Sequence, residues 1–107
     1  MTPPPTAVRL GLEPHPEGGW YRRTWTSPTT SATRPAATAI LFLLTAGERS
    51  AWHRVDADEL WLWHGPGTLV LQVADSPGEP WESYVLGPDA VQLLVPAGRW
   101  PPIETPA

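Results

Sequence analysis

An all-β fold is what the sequence predicts, and two features predict it: the density of chain breakers and the spacing of short β-prone runs. Fifteen prolines and nine glycines in 107 residues leave few windows that could hold a three-turn helix. Between the breakers, apolar and β-branched runs predict strands over residues 20–26, 38–45, 50–54, 59–64, 67–74, 81–86 and 92–95. Short strands at this spacing suggest a barrel or jelly roll.

Taken in order, the chain starts with TPPPT, read with the rest of residues 1–7 as a flexible tail. One helical turn is expected at 8–11, ahead of a loop at 14–19. The run WYRRTWT at 20–26 is the first strand, and the Ser/Thr/Pro-rich residues 27–35 form a connection over a barrel mouth. AATAILFLLT at 36–45 is the longest apolar stretch, about half of the roughly 20 residues needed to cross a bilayer, so it reads as a core strand. Two strands then flank the acidic turn VDAD, and LLVPAGRW at 93–100 is an apolar run ended by a Pro-x-Gly turn. PPIETPA at 101–107 reads as a second tail, and the whole is expected to be one domain with a single core.

Charge and composition exclude several classes. A net charge of −4, with seven basic residues that are all scattered arginines, argues against nucleic acid as a partner. There is no cysteine, so disulfides, zinc–thiolate sites, iron–sulfur clusters and thiol nucleophiles are out. The opening MTPPPTAVRL lacks the pattern of a signal peptide, which makes the cytoplasm the expected compartment and a membrane an unexpected partner.

The chemistry concentrates in GERSAWHRVDADELWLWHGPG, residues 47–67, which carries His53, Asp56, Asp58, Glu59 and His64. Strand alternation puts Glu59, Trp61 and Trp63 on one face and Leu60, Leu62 and His64 on the other. The turn can return the chain so that Glu59 comes beside His53. A carboxylate that orients an imidazole fixes its tautomer and raises its basicity, which suits a general base near neutral pH. The alternative is a buried histidine satisfied by a neighbouring acid. Asp56 and Asp58 read as turn residues, and His64, ahead of Gly-Pro-Gly, as a strand cap or a solvent-facing side chain.

Seven tryptophans also need a reason. Trp61 and Trp63, two apart on one strand, can fill a core or a dimer interface. Trp20, Trp52 and Trp61 can equally form a flat wall for a planar or sugar-like ligand.

Four segments together resemble the small cupin-5-type family of single-domain cupins: LGLEPHPEGGWYRRTW (10–25), TAILFLLTAGERSAWHRVDADELWLWHGPG (38–67), LGPDA (86–90) and LLVPAGRW (93–100). The resemblance implies a cupin double-stranded β-helix, a jelly-roll barrel with an internal pocket, often dimeric. In the general cupin pattern Gly47, His53 and Glu59 match the first motif, and Pro96 with Gly98 the second. Val55 stands at the second histidine position and the Trp100–Pro101 region where a further histidine is expected, so two of the four usual metal ligands are missing. No cofactor is therefore expected; a divalent metal, if held, would use His53 and Glu59 completed by water or His64. Similar proteins continue past PAGxW with closing strands, so the barrel is expected to be incomplete at its C-terminal edge, and its open strand edge favours a homodimer.

Two function classes follow. One is a metal-independent isomerase, epimerase or lyase acting on a small polar or sugar-like metabolite: His53 removes a proton next to a carbonyl, Glu59 orients it, Tyr21 or Tyr84 supplies an acid, and Arg23 or Arg22 binds an anionic group. Tyr21 and Arg23 share a strand face, which favours Arg23. The other is a small-molecule-binding cupin without turnover, lined by its tryptophans.

Overall fold

The prolines that look like breakers at the N-terminus start a helix. Proline at a first helical position gives up an N–H that would have no helical partner and presets φ, and helix α1 spans Pro5–Leu10 behind an extended Pro4. Gly11 ends it in the left-handed region at φ 68°. The Gly11 N–H then donates to Val8 O (3.3 Å) and the Leu12 N–H to Ala7 O (2.8 Å), the paired bonds of a Schellman cap. Residues read as a flexible tail thus bury Ala7 completely.

In this computed structural model the described residues are 2–28, 36–51, 56–76 and 80–98, with the backbone of Ile103–Glu104. They form two compact units, Met1–Leu43 and Leu44–Ala107. Among them no helix is long and apolar enough to cross a membrane.

The first unit is a three-stranded antiparallel sheet in the order β1-β2-β3, built from β1 (Glu13–Pro14), β2 (Trp20–Thr26) and β3 (Thr38–Leu43). Between β1 and β2 the chain reverses through Gly18 (φ 112°) and Gly19 (φ 83°), two successive positive φ values that side chains resist. The His15 N–H donates to Gly19 O and the Gly18 N–H to His15 O, closing the turn. On β2, Trp20 pairs with Leu43 and Arg22 with Leu41, while Tyr21 pairs with Phe42 and Arg23 with Ile40. The next pair is Trp25 with Ala39, so Thr24 is an extra residue, a β-bulge. Simple alternation would group Trp25 with Tyr21 and Arg23; the bulge moves it to the face of Trp20 and Arg22. On that face Trp20, Leu12 and Ala7 form the core, with Leu41 and Leu43 packed against them.

The second unit holds two sheets. In one, β4 (Glu59–Leu62) pairs antiparallel with β7 (Gln92–Val95); in the other, β5 (Leu69–Val73) lies between β6 (Glu82–Leu86) and β8 (Ile103–Glu104). Leu71, Val73, Leu86 and Val95 are buried here. The strand β8 lies within the stretch read as a C-terminal tail, where two residues give no periodic signal. The apolar run expected to continue to residue 45 stops at Leu43, because the Glu48 carboxylate captures both the Thr45 N–H (2.9 Å) and its hydroxyl (3.2 Å) in a turn through Gly47. LGPDA closes the gap between β6 and β7 with two hydrogen bonds between Gly87 and Ala90. Of the strand expected at 50–54, Ser50 and Ala51 are described and belong to no strand, while residues 52–54 and most of the connection at 27–35 lie outside the described residues.

Candidate functional site

The site-bearing strand of the second unit is β4. Glu59, Trp61 and Trp63 are half-buried and alternate with exposed Leu60, Leu62 and His64, as strand parity requires. Across the ladder Glu59 faces Val95 and Trp61 faces Leu93, so the buried side of this ribbon joins an acid and an indole to apolar residues of β7. The outer side pairs Leu60 with Leu94. Leu60 is 56% exposed, Leu62 55% and Leu94 55%, whereas Glu59 Oε1 and Trp61 Nε1 are shut off from solvent.

Hydropathy alone would arrange this strand the other way round. Leaving a leucine in water forfeits about 1.5–3 kcal/mol, and withdrawing a carboxylate from water costs several kcal/mol before any hydrogen bond is credited.

Each flanking residue of β4 has a defined task. Asp58 Oδ1 accepts the Ala97 N–H at 2.9 Å, tying the entry of β4 to the Pro96–Ala97–Gly98 turn. The Asp58 carboxylate thus serves the entry of β4. Beyond β4 the Trp63 N–H donates to Val91 O (2.8 Å) and extends the ladder, and the indole N–H of Trp63 donates to Gly67 O (3.0 Å). Its ring lies so close to Gly65 that an added Cβ there would sit 3.2 Å from Cζ2. Trp63 therefore pins the turn that carries exposed His64. Glu59 is half-buried on β4, whereas His64, two residues beyond the strand, is exposed. Among the described residues no group of three His, Cys, Asp or Glu side chains could hold a metal ion. His53 and Trp52 lie outside the described residues, as do Val55 and Trp100.

In the first unit Trp20, a candidate ligand wall, is 5% exposed and fills the core instead. Arg22 shares that face, and its Nε–H donates to Leu10 O at 2.9 Å, fastening the helix end. The opposite face carries Glu13, Tyr21 and Phe42 in one cross-strand row and Arg23 with Ile40 in the next. His15, which the sequence reading passed over, joins them. Its ring meets Tyr21 edge-on (centroids 4.7 Å apart, planes at 72°) and Phe42 in the same way (5.5 Å, 83°). The Glu17 N–H donates to His15 Nδ1 at 3.0 Å. The signal was there in PHPEGGWY, a histidine inside a Gly-Gly turn next to an aromatic strand, but a turn residue has no parity to reveal its neighbours. On β6 the Tyr84 hydroxyl donates to Glu82 Oε2 at 2.6 Å.

Antiparallel sheets with one short helix, and a strand that turns an acid and an indole inward, define an all-β protein of the cupin class. The family model Cupin_5, described as Cupin superfamily (DUF985), matches residues 6–105, and the chain belongs to that family. Protein SO0799 from Shewanella oneidensis is similar in structure, with 35% sequence identity and a TM-score of 0.84 over 94% of this chain. A hypothetical protein from Leishmania major is similar at 30% identity, with a TM-score of 0.79 over 92% of this chain. The chain spans 66% of the length of each of these two structures. No curated protein matches.

Proposed function

We propose that this cupin is an enzyme that moves a proton on a small polar or sugar-like metabolite, in an isomerase, epimerase or lyase reaction. The observation that carries the reading is the inverted burial of β4, with the Glu59 carboxyl oxygen and Trp61 indole nitrogen inside and two leucines outside. In this reading His53 abstracts a proton next to a carbonyl, Glu59 orients it, and Tyr21 supplies the acid. Arg23 binds an anionic group of the substrate and Trp61 with Trp52 forms the wall. The preference for Arg23 over Arg22 is supported by the engagement of Arg22 at the helix end and by the face that Arg23 shares with Tyr21. Trp20 has no part in it, because its indole is core. The net charge of −4 favours a small-molecule ligand over nucleic acid.

The reaction as proposed needs no metal, since Val55 and Trp100 occupy positions where a cupin metal would look for imidazoles. Screening purified protein against sugar and keto-acid panels by NMR, in deuterated water, reads out proton exchange at carbon directly. Glu59→Gln and His53→Ala should each lower the exchange rate by about 10²–10⁴-fold while the fold persists. Ligand binding with no exchange at any carbon would leave a binding cupin. Elemental analysis should find no stoichiometric transition metal; one zinc, nickel, iron or manganese per chain, lost in His53→Ala, would move the chemistry to a metal.

A further inference from the structure

On the helix-bearing face of the first sheet, burial falls off along the strands. Trp20 is packed with Ala7 and Leu12, and Leu43 and Leu41 are half-buried against them; past Arg22, which grips the helix end, Trp25 and Ala39 are exposed. Trp25 is on this face because of the bulge. Thr24 is the extra residue, its hydroxyl donating to Ala39 O at 3.3 Å, and without it the indole would turn to the other side. A bulge gives up ladder hydrogen bonds, and re-aiming a side chain is what it gains. Here the gain is an indole one row from a guanidinium: Arg22 pairs with Leu41 and Trp25 with Ala39, rows about 7 Å apart along β3. Across from the indole the partner strand offers only the methyl of Ala39, which leaves room beside the ring.

The Arg22 guanidinium is held in place but not used up. Its Nε–H donates to Leu10 O at 2.9 Å, and its Cδ lies 3.8 Å from where a Cβ on Gly11 would be. Among the described residues its two terminal amino groups have no hydrogen-bond or ion-pair partner, and Arg9 and Trp25 have none either. Arg9 stands in the last turn of α1, next in the chain to the residue whose carbonyl Arg22 holds. A helix C-terminus repels anions with at most about half a charge, which two guanidinium groups more than offset. The first unit also carries four of the seven arginines and two of the eleven acids, so its charge runs opposite to that of the whole chain.

We propose that Arg22 and Trp25 form a binding site for a small ligand in which an aromatic ring carries a carboxylate or a phosphate. The ring stacks on the Trp25 indole beside Ala39, and the anionic group takes both terminal amino groups of Arg22 as a bidentate pair, with Arg9 adding to the attraction. Because the Nε bond already orients the fork, little side-chain freedom is lost when the anion arrives. A ring without the anion forgoes the fork; an anion without the ring forgoes the stack. The site lies wholly within the first unit and does not rest on the proton-transfer reading.

The test titrates the full chain with 2-naphthoate, and with 2-naphthylmethanol and acetate as the ring and the anion alone. Binding is followed by ¹H–¹⁵N NMR, in which the Trp25 indole signal is the one absent from Trp25→Leu. That signal should move with 2-naphthoate at submillimolar concentration, and both controls should bind at least about tenfold more weakly. Trp25→Leu and Arg22→Lys should each weaken the naphthoate about tenfold, through the lost stack and the lost fork. Since Arg22 also fastens the helix, Ala39→Glu provides a variant that leaves that bond alone: it sets a negative charge beside the site and should abolish binding, while Ala39→Ser should leave it unchanged. A Trp25 signal that stays still at millimolar naphthoate, full affinity in Trp25→Leu or Ala39→Glu, or equal binding of 2-naphthylmethanol would overturn the proposal.

Discussion

Asp58 and Glu59 are neighbours with the same charge and opposite destinations. The chain enters a strand between them, so Glu59 falls on the buried side of β4 while the Asp58 carboxylate reaches Ala97 outside the ladder. That bond fixes the end of the ribbon at the Glu59–Val95 pair. Asp58→Ala should cost about 1 kcal/mol, the worth of one exposed charge-assisted hydrogen bond, measured as a shift of the urea midpoint at constant slope. Asp58→Asn keeps an acceptor and should lose less than half as much. Equal losses would mean that charge, not the hydrogen bond, is what matters there. The grouping of Glu59 with Trp61 and Trp63 was legible in the sequence because alternation along one strand needs no knowledge of its partners. The partnership of Asp58 with Ala97 spans 39 residues and was not. His53, on which the sequence reading placed the catalytic base, lies outside the described residues.

At the scale of elements, β2 and β7 match their expected bounds at both ends, because each is a run of β-prone residues stopped by an unmistakable turn. The helix starts earlier than expected, at Pro5, since proline signals a break inside a helix and a beginning at its first turn. The bulge at Thr24 was invisible because an extra residue leaves no mark on composition. It separates two tryptophans that look alike in the sequence: Trp20 is packed in the core and Trp25 is 52% exposed, although both are on the helix-bearing face. Trp20→Ala should therefore cost about 3–5 kcal/mol, and Trp25→Ala about 0.5 kcal/mol or less. Thermal melts of the two variants decide it, and similar losses would show that Trp25 packs against something.

At the scale of the whole molecule, residues 6–105 answer to a single family model, although they form two compact units. The outer side of the β4–β7 ribbon leaves Leu60, Leu62 and Leu94 half-exposed with Val91 beyond them. A twofold axis lets one such face cover its own copy, and a stable interface takes about 800 Å² from each partner, for which these side chains would be the apolar centre. A homodimer is the expected state, with a melting temperature that rises with protein concentration. Leu60→Glu combined with Leu94→Glu should give a monomer by light scattering with its secondary structure retained. A wild-type monomer with a concentration-independent melt would remove the dimer. The pairing of β4 with β7 also sets a schedule during synthesis. At about 5–20 residues per second, the interval between Asp58 and Ala97 lasts roughly 2–8 s. Until β7 follows it, the nascent β4 lacks the strand that completes its ribbon, and its leucines stand open to chaperones or to other nascent chains.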